Sequence, residues 1–561
     1  MKKLTLFAAL FMLTQMTFAG GLLTNTNQSA QFIRMLSRNA STDIDAVYFN
    51  PAGLIKLQDG WHFAVYNQSI YQTKPVKSNF PLLNDGNYEG IVKVPAFPTA
   101  FGVYKKENWA ISLGFGPNGG GGSATFDRGL PSFEIPITKV VPGLAGLTQI
   151  SPALAVQGYD AELSFSGSSI FWGIQLGATY KVSDAFSVFG GLRYLPATNT
   201  YEGSIRNVQL NVAGQMFGAA DWLTQTAGFV GGLASQASAG AALLGGTASN
   251  LQPLIDGGAS AFTLEQLEGA GYIDAATRAQ VAGGLLSLGL TQAQIDAMNL
   301  ATVQGTYSTA AATYAGQAAQ LTGTSALLEG TSAEMGDREV ITEQTGAGFT
   351  PMIGINISPT EELNIAVKYE MKTTLQLTNS TEVDDLGLFP DGGTSNSDIP
   401  AILAVGVGYK AADWLEAQVS YNMYFDKGVD WGVNTRDGAV WASVDPTQIR
   451  TREIDNNGYE IGLGLQFNLS DNFAISVGGL RSKSGIAESY QSDFSYSNPS
   501  VTAGAGLMWK ISDKMALDAG FSNTFYEDQD VSFNDPDVGT YNEILSKTTV
   551  TFAVGLSYSI F

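Results

Sequence analysis

Chemistry needs groups that attack, titrate or coordinate, and this chain gathers few of them. Its 561 residues hold one histidine and no cysteine. His62, beside Trp61 at the start of the first expected strand, leaves no Cys nucleophile, no Ser-His-Asp arrangement and no His/Cys zinc cluster to assemble. Asp528-Gln529-Asp530 with Asn534-Asp535-Pro536-Asp537 hints at calcium. An EF-hand loop begun at Asp528 would put Phe533 where glycine is invariant and Gly539 where a bidentate Glu is needed, so a solvated acidic loop is the better reading. Gly114, Gly116 and Gly119 match GxGxxG, but no helix follows and no βαβ unit surrounds them. Acidic residues are plentiful, yet nothing singles out a catalytic pair. No enzyme activity, cofactor or metal is expected. What remains is binding: apolar side chains, and the cations Arg193 and Lys368.

The elements that would position those residues follow from composition and period. The net charge is −22 with 14% charged residues, which argues against nucleic acid because that partner needs clustered Lys and Arg. Residues 1–19 read as a secretory signal: Lys2 and Lys3, an apolar core from Leu4 to Leu13, and Thr17-Phe18-Ala19 before a cut at Gly20. Beyond it no apolar run nears the roughly 20 residues of a membrane helix. Alternation is clear instead. Leu403, Val405, Val407 and Tyr409 oppose Ala404, Gly406 and Gly408, while Ile461, Leu463, Leu465 and Phe467 oppose Gly462, Gly464 and Gln466. A soluble sandwich would show the same period. Segments of about ten residues, aromatic ends such as Trp109, Trp414, Trp509 and Tyr558, and connections alternating between short and long favour a transmembrane antiparallel β-barrel. Counting between the short turns gives about fourteen strands, in an all-β fold.

Three regions depart from barrel patterning. Residues 20–59 lack period 2 and carry Phe32, Ile33, Met35 and Leu36 near Arg34 and Arg38, as an N-terminal plug inside the lumen would. Strands 1–5 are then expected within 60–206 and strands 6–14 within 337–561. Between them, 207–336 is a long Ala- and Gly-rich extracellular insertion. Thr263-Leu264-Glu265-Gln266 and Thr291-Gln292-Ala293-Gln294 fit capping boxes, so short helices begin there. This helical cap collects hydrophobic ligands, or else packs only on itself. Finally, Gly116-Pro117-Asn118 at the end of the third strand predicts a broken ladder and a kink.

Residues 28–54, QSAQFIRMLSRNASTDIDAVYFNPAGL, resemble the hatch of the outer-membrane long-chain fatty acid transporters, the FadL/TodX family. The shared elements are Arg34-x-x-Ser37 and, at a similar interval, Asn50-Pro51-Ala52. The resemblance implies a fourteen-stranded barrel in the bacterial outer membrane. It further implies a pocket beside the hatch N-terminus and a sideways exit at a kinked third strand. Met35 and Leu36 stand where the family has small residues, and Ser559 stands where an aromatic usually precedes a terminal Phe, which puts the register of the last strand in question.

The expected function is passive uptake of long-chain fatty acids or similar hydrophobic compounds. Leu22, Leu23, Phe32, Ile33, Met35 and Phe189 are candidate tail contacts, and Arg193 and Lys368 candidate carboxylate partners. Glu370, on the same face as Lys368, offers the alternative of an ion pair within the barrel. A polar-solute porin using Gln175, Gln466 and Asn468, or a surface adhesin acting through 207–336, are the rival functions. The hydrophobic substrate, outer-membrane lipid and the barrel assembly machinery are the expected partners of a monomer.

Overall fold

Fourteen antiparallel strands close into a barrel. The computed structural model describes residues 24–429, 433–434, 454–487 and 491–561, so the expected signal sequence and Leu22 and Leu23 lie outside the described residues. The strands are β1 (Gly60–Ser78), β2 (Asn87–Lys106), β3 (Trp109–Phe126), β4 (Val156–Ser183) and β5 (Phe186–Val212). After a long insertion come β6 (Arg338–Ile357), β7 in two pieces (Leu363–Glu370 and Gln376–Asp384), β8 (Ile402–Ala412) and β9 (Leu415–Tyr424). The last five are β10 (Gly458–Ser470), β11 (Phe473–Lys483), β12 (Ser500–Ser512), β13 (Met515–Tyr526) and β14 (Thr548–Ile560). Each strand pairs with its neighbour in sequence, and β14 returns to β1 with Ile560 opposite Trp61.

The alternation seen in the sequence decides which face is which. Phe552, Val554, Leu556, Tyr558 and Ile560 of β14 are exposed, as are Trp109, Ile111, Leu113 and Phe115 of β3 and Ile461 and Leu463 of β10. The buried face carries Gln175, Arg193, Lys368, Gln418, Ser476 and Asp518. Large apolar side chains outside and polar ones inside invert the layout of a soluble barrel and make the outer surface lipid-facing. The last strand thereby keeps its apolar set outward with Ser557 and Ser559 on the other face. The expected solvated loop at 528–537 is in fact part of a hairpin (Gln529–Asp535 with Gly539–Leu545) that adds to β1 through Val76 opposite Leu545.

Inside the barrel sits a hatch built from residues 24–56. Helix α1 (Ala30–Met35) starts at Ser29, whose Oγ accepts the Phe32 N–H at 3.0 Å, and ends where Leu36 turns left-handed at φ 57°. A second short helix, α2 (Ala46–Phe49), leads through Asn50 into a 3₁₀ turn with Pro51 at its first position. Both helices are too short to persist alone, so the wall must hold them.

Glycines in the wall make room for this backbone. A Cβ on Gly504 would come within 2.6 Å of the Ile33 carbonyl, and one on Gly520 within 2.8 Å of the Arg34 nitrogen. Gly462 and Gly478 are tighter still, against the carbonyls of Leu36 and Met35. The alternation of large and small residues read from the sequence is therefore a lipid face opposed to a seat for the hatch.

A second unit comprises Val140–Asp160 and Asn207–Gly336. Two long helices, α3 (Ala219–Leu254) and α4 (Leu300–Glu334), run antiparallel, with Ser332 Oγ donating to the Ala220 carbonyl and Ser325 Oγ to that of Ala227 at 2.8 and 2.9 Å. Between them the helices Leu264–Gly269 and Gln292–Ala297 begin at Thr263 and Thr291 in the expected capping boxes. Helix 219–259 is long and apolar enough to cross a membrane by length and composition, which the sequence reading had not foreseen.

Two adjacent glycines test the seat. Gly478→Val should dislodge the hatch at a cost of about 1–3 kcal/mol for overpacking, while Gly479→Val, whose Cβ would meet only the Thr502 carbonyl at 3.9 Å, should be near neutral. Tryptic cleavage at Arg34 and Arg38 of the folded protein reads the difference.

Candidate functional site

The two ends of the lumen set the scene. At the end away from the short turns, Phe133 lies 5.7 Å from Phe165 and 5.2 Å from Phe494, ring centre to ring centre, and Phe165 lies 5.0 Å from Phe494. Asp493 fastens this aromatic cluster by accepting the Ser132 N–H at 2.8 Å. Towards the short turns, a polar vestibule of about 780 Å³ is lined by Gln31, Arg34, Asp43, Glu416, Gln466, Lys510 and Asp518, among others.

Helix α1 divides that vestibule from a second, smaller cavity of about 60 Å³. Its Gln31 and Arg34 face the vestibule, and its Phe32 and Ile33, with Leu36, face the cavity. The cavity is completed by Asn25–Asn27, Ile70, Phe97 and Leu480, and by hydroxyls of Thr502, Ser522, Thr524, Tyr526, Thr549 and Thr551. Among the described residues, no Lys, Arg, Asp or Glu lines it. The partition is held by Arg34, which pairs with Asp518 at 2.9 Å and donates to Gln466 at 2.7 Å and to Ser476.

The rest of the hatch motif is structural. Ser37 meets Ser420 at 2.8 Å, and Asn50 Nδ2 donates to the Ser41 carbonyl at 2.9 Å and to Asn356 Oδ1 at 2.7 Å. The Pro51 and Ala52 carbonyls accept from Thr179 and Ser187, both at 2.7 Å. Arg38 and the two aspartates of the DIDAV stretch form the internal clamp: its guanidinium reaches both Asp45 oxygens at 2.8 and 2.9 Å and Asp43 at 2.6 Å. Burial works against the Arg38 charge, but Asp45 and Asp43 outweigh it and hold its pKa well above the usual value.

Arg193 and Lys368 come together, around Glu370. Arg193 pairs with Glu370 at 2.6 Å and donates to Gln175 at 2.8 Å, and Lys368 pairs with Glu370 at 2.7 Å. Lys368 also donates to the Tyr48 carbonyl, and both cations lie over the Tyr48 ring, at 5.2 and 4.5 Å. Burial and then Glu370 push the Tyr48 phenol up, keeping it a donor to the Asn25 carbonyl at 2.9 Å.

The wall itself breaks between β2 and β3. Ladder pairs join Gly90–Val92 to Ala124–Phe126 and Ala100–Lys106 to Trp109–Phe115, with an interruption between them. Pro95 and Pro98 on one strand and Pro117 on the other have no N–H to give, and Gly120 and Gly121 take positive φ of 63° and 117°. On its other side β3 stays paired to β4, with register shifts at Pro117/Gly119 and Gly120/Gly122. These register shifts lie where the kink was expected, and the strand runs on through them to Phe126 instead of ending at Asn118.

Residues of the hatch's N-terminal arm fill the break. The Asn25 N–H donates to the Asn118 carbonyl at 2.8 Å, and its side chain to the Gly120 carbonyl at 2.6 Å. Gln28 donates to the Pro117 carbonyl at 2.7 Å.

The barrel is similar to a solved structure, that of a Pseudomonas aeruginosa FadL homologue. It is 12% identical to this chain, with a TM-score of 0.56 over 97% of this chain and 100% of that one. This chain has the FadL fold. The Pseudomonas putida toluene transporter TodX (10% identical, TM-score 0.49, 96% and 100% covered) and the Ralstonia pickettii toluene transporter TbuX (11%, 0.43, 91% and 93%) are also similar. No family model matches the chain, and no curated protein matches it in sequence.

Within this FadL-type barrel, Phe32 and Ile33, two of the candidate tail contacts, line the small cavity. Met35 instead packs against Gly464 and Gly478, and Phe189 against Ala52 and Met352. His62 is bonded to Ser559 and to the Gln58 carbonyl, both at 2.8 Å. Sequence reasoning missed Asn25, Gln28, Phe97 and Asp518. The Pro95-Ala96-Phe97-Pro98 run was the available signal for Phe97, since two prolines do not belong inside a fully paired strand.

Removing Arg34 leaves Asp518 buried without its cation, a loss on the order of 3–5 kcal/mol. Arg34→Ala should therefore unseat α1 and let sucrose leak into liposomes carrying the protein. Adding Asp518→Asn should reduce the leak.

Proposed function

We propose that this protein is an outer-membrane channel for passive entry of hydrophobic small molecules. They reach the cavity beside the hatch and leave sideways between β2 and β3 into the lipid. The observation that carries the reading is the interrupted β2–β3 ladder adjoining an uncharged cavity and covered from within by the hatch arm. An open lipid-facing break would expose unpaired backbone, so a wall with such a break and a detachable internal cover is suited to open and close. The toluene transporters of similar fold support the substrate class.

Uncharged molecules suit the cavity better than carboxylates. A fatty acid tail gains about 0.8 kcal/mol per buried CH₂, but its head group would meet hydroxyls and amides with no cation. Arg193 and Lys368 already neutralise Glu370, so a substrate carboxylate would have to displace it. A polar-solute pore is disfavoured by the hatch and by the Phe133, Phe165 and Phe494 cluster in the lumen.

Uptake of labelled toluene, oleate and sucrose by cells with and without the protein tests this. Toluene entry should rise most and sucrose entry should not change; a rise in sucrose alone would overturn the reading. The exit has its own test. A Cβ on Gly116 would lie 3.1 Å from Thr99 Cγ2, so Thr99→Cys with Gly116→Cys places a disulfide across the edge of the break in a chain with no other cysteine. Oxidation should slow toluene entry and a reductant should restore it.

A further inference from the structure

The free volume of the cavity is about 60 Å³, below the roughly 150 Å³ of an apolar void that takes a benzene ring. An aromatic permeant therefore needs part of the lining to give way. Most of that lining is fixed. Thr502, Ser522, Thr524, Thr549 and Thr551 belong to the continuous ladders of β12–β14, and Phe32 and Ile33 sit on α1, which is held by the Arg34–Asp518 pair. Apart from the arm residues Asn25–Asn27, Phe97 is different, because it stands on an interior stretch of β2 that has no partner on β3.

Its inward position comes from a slip in the strand. Along β2 the buried positions are Tyr88, Val92 and Val94, then Phe97, Thr99, Phe101 and Val103, so even numbers change to odd across Pro95-Ala96, which are both exposed. Without that slip Phe97 would face lipid. The Phe97 N–H is accepted by Asn67 Oδ1 at 3.1 Å, and Ser69 Oγ donates to the Pro95 carbonyl at 2.9 Å, so β1 side chains hold the slipped backbone. The ring is 2% exposed and covers Gly121, where a Cβ would come 2.7 Å from Phe97 Cε2. Gly121, at φ 117°, is the β3 residue directly behind it.

We infer that Phe97 is the stopper of the lateral opening, and that its ring sets the size of the uncharged molecules that leave the cavity. The inference rests on the sideways-exit reading above. The ring is at once a wall of the cavity and the filling of the break, so its displacement enlarges the one while clearing the other. An aromatic ring in that place also matches a planar apolar permeant, which takes over its contacts as it moves.

The test compares Phe97→Ala, Phe97→Leu and Phe97→Trp in liposomes, following entry of toluene, naphthalene and sucrose. Phe97→Ala should raise the naphthalene-to-toluene ratio by about tenfold, the scale on which apolar pockets discriminate size. Phe97→Leu should fall between, and Phe97→Trp should slow both compounds with the barrel still folded. Unchanged ratios across all three would overturn the inference, as would sucrose leakage accompanying any gain, because the residue would then be holding the hatch. The Thr99–Gly116 disulfide separates the two levels. If oxidation stops toluene entry while the Phe97 variants behave as wild type, only the stopper falls; if oxidation has no effect, the sideways exit falls with it.

Discussion

A strand facing lipid has no water to satisfy its backbone, so every N–H and C=O of this wall must find a partner in the protein. That constraint organises the molecule at the place where it is nearly broken. Between Phe115 and Ala124, β3 has no ladder partner on β2, and the carbonyls of Pro117, Asn118 and Gly120 are taken instead by Asn25 and Gln28. The prolines on both strands remove donors that would otherwise be stranded. The hatch arm is thus a substitute strand edge, made of the Asn25 backbone N–H and the side-chain amides of Asn25 and Gln28 in place of a continuous ladder.

The same hatch must be firm elsewhere. Its clamp of Arg38, Asp43 and Asp45 is internal, while Arg34 ties it to the barrel through Asp518, Lys368 through the Tyr48 carbonyl and Arg193 over the Tyr48 ring. Buried pairs of this kind add little net stability, but breaking one partner is costly, and that asymmetry gives a plug one seat. The glycines of β10–β13 refine the fit sterically. Helix α1 is anchored by a buried ion pair and the arm by uncharged hydrogen bonds to Gln68 of β1 and to β3, and α1 keeps the vestibule and the cavity separate.

Much of this was legible in the sequence. Period-2 alternation marked the strands and their lipid face, short turns fell where Lys106, Ser183 and Ser470 end their strands, and Gly116-Pro117-Asn118 marked the break. The cavity was less legible because it joins residues hundreds of positions apart. The sequence reading placed Arg193 and Lys368 on the inner face but left open whether they meet a ligand, since only coordinates bring Glu370 and Tyr48 beside both. The long helices α3 and α4 escaped notice because their contact stripe is Ala227, Val230 and Ala234 among glycines and polar residues, with little amphipathic contrast. The parity change at Pro95-Ala96 was visible in principle, but a slip of one residue shows only when its neighbours on both sides have been assigned.

The pairing of Arg34 with Asp518 spans 484 residues of chain. Contacts of such separation form late in folding, after the loops they close. Helix α1 leans on β12 and β13 and, through Ala30 beside Gly555, on β14, so its seat is complete only when the last strands are in place. The plug can therefore take its final seat only as the β1–β14 seam, with Ile560 opposite Trp61, is completed.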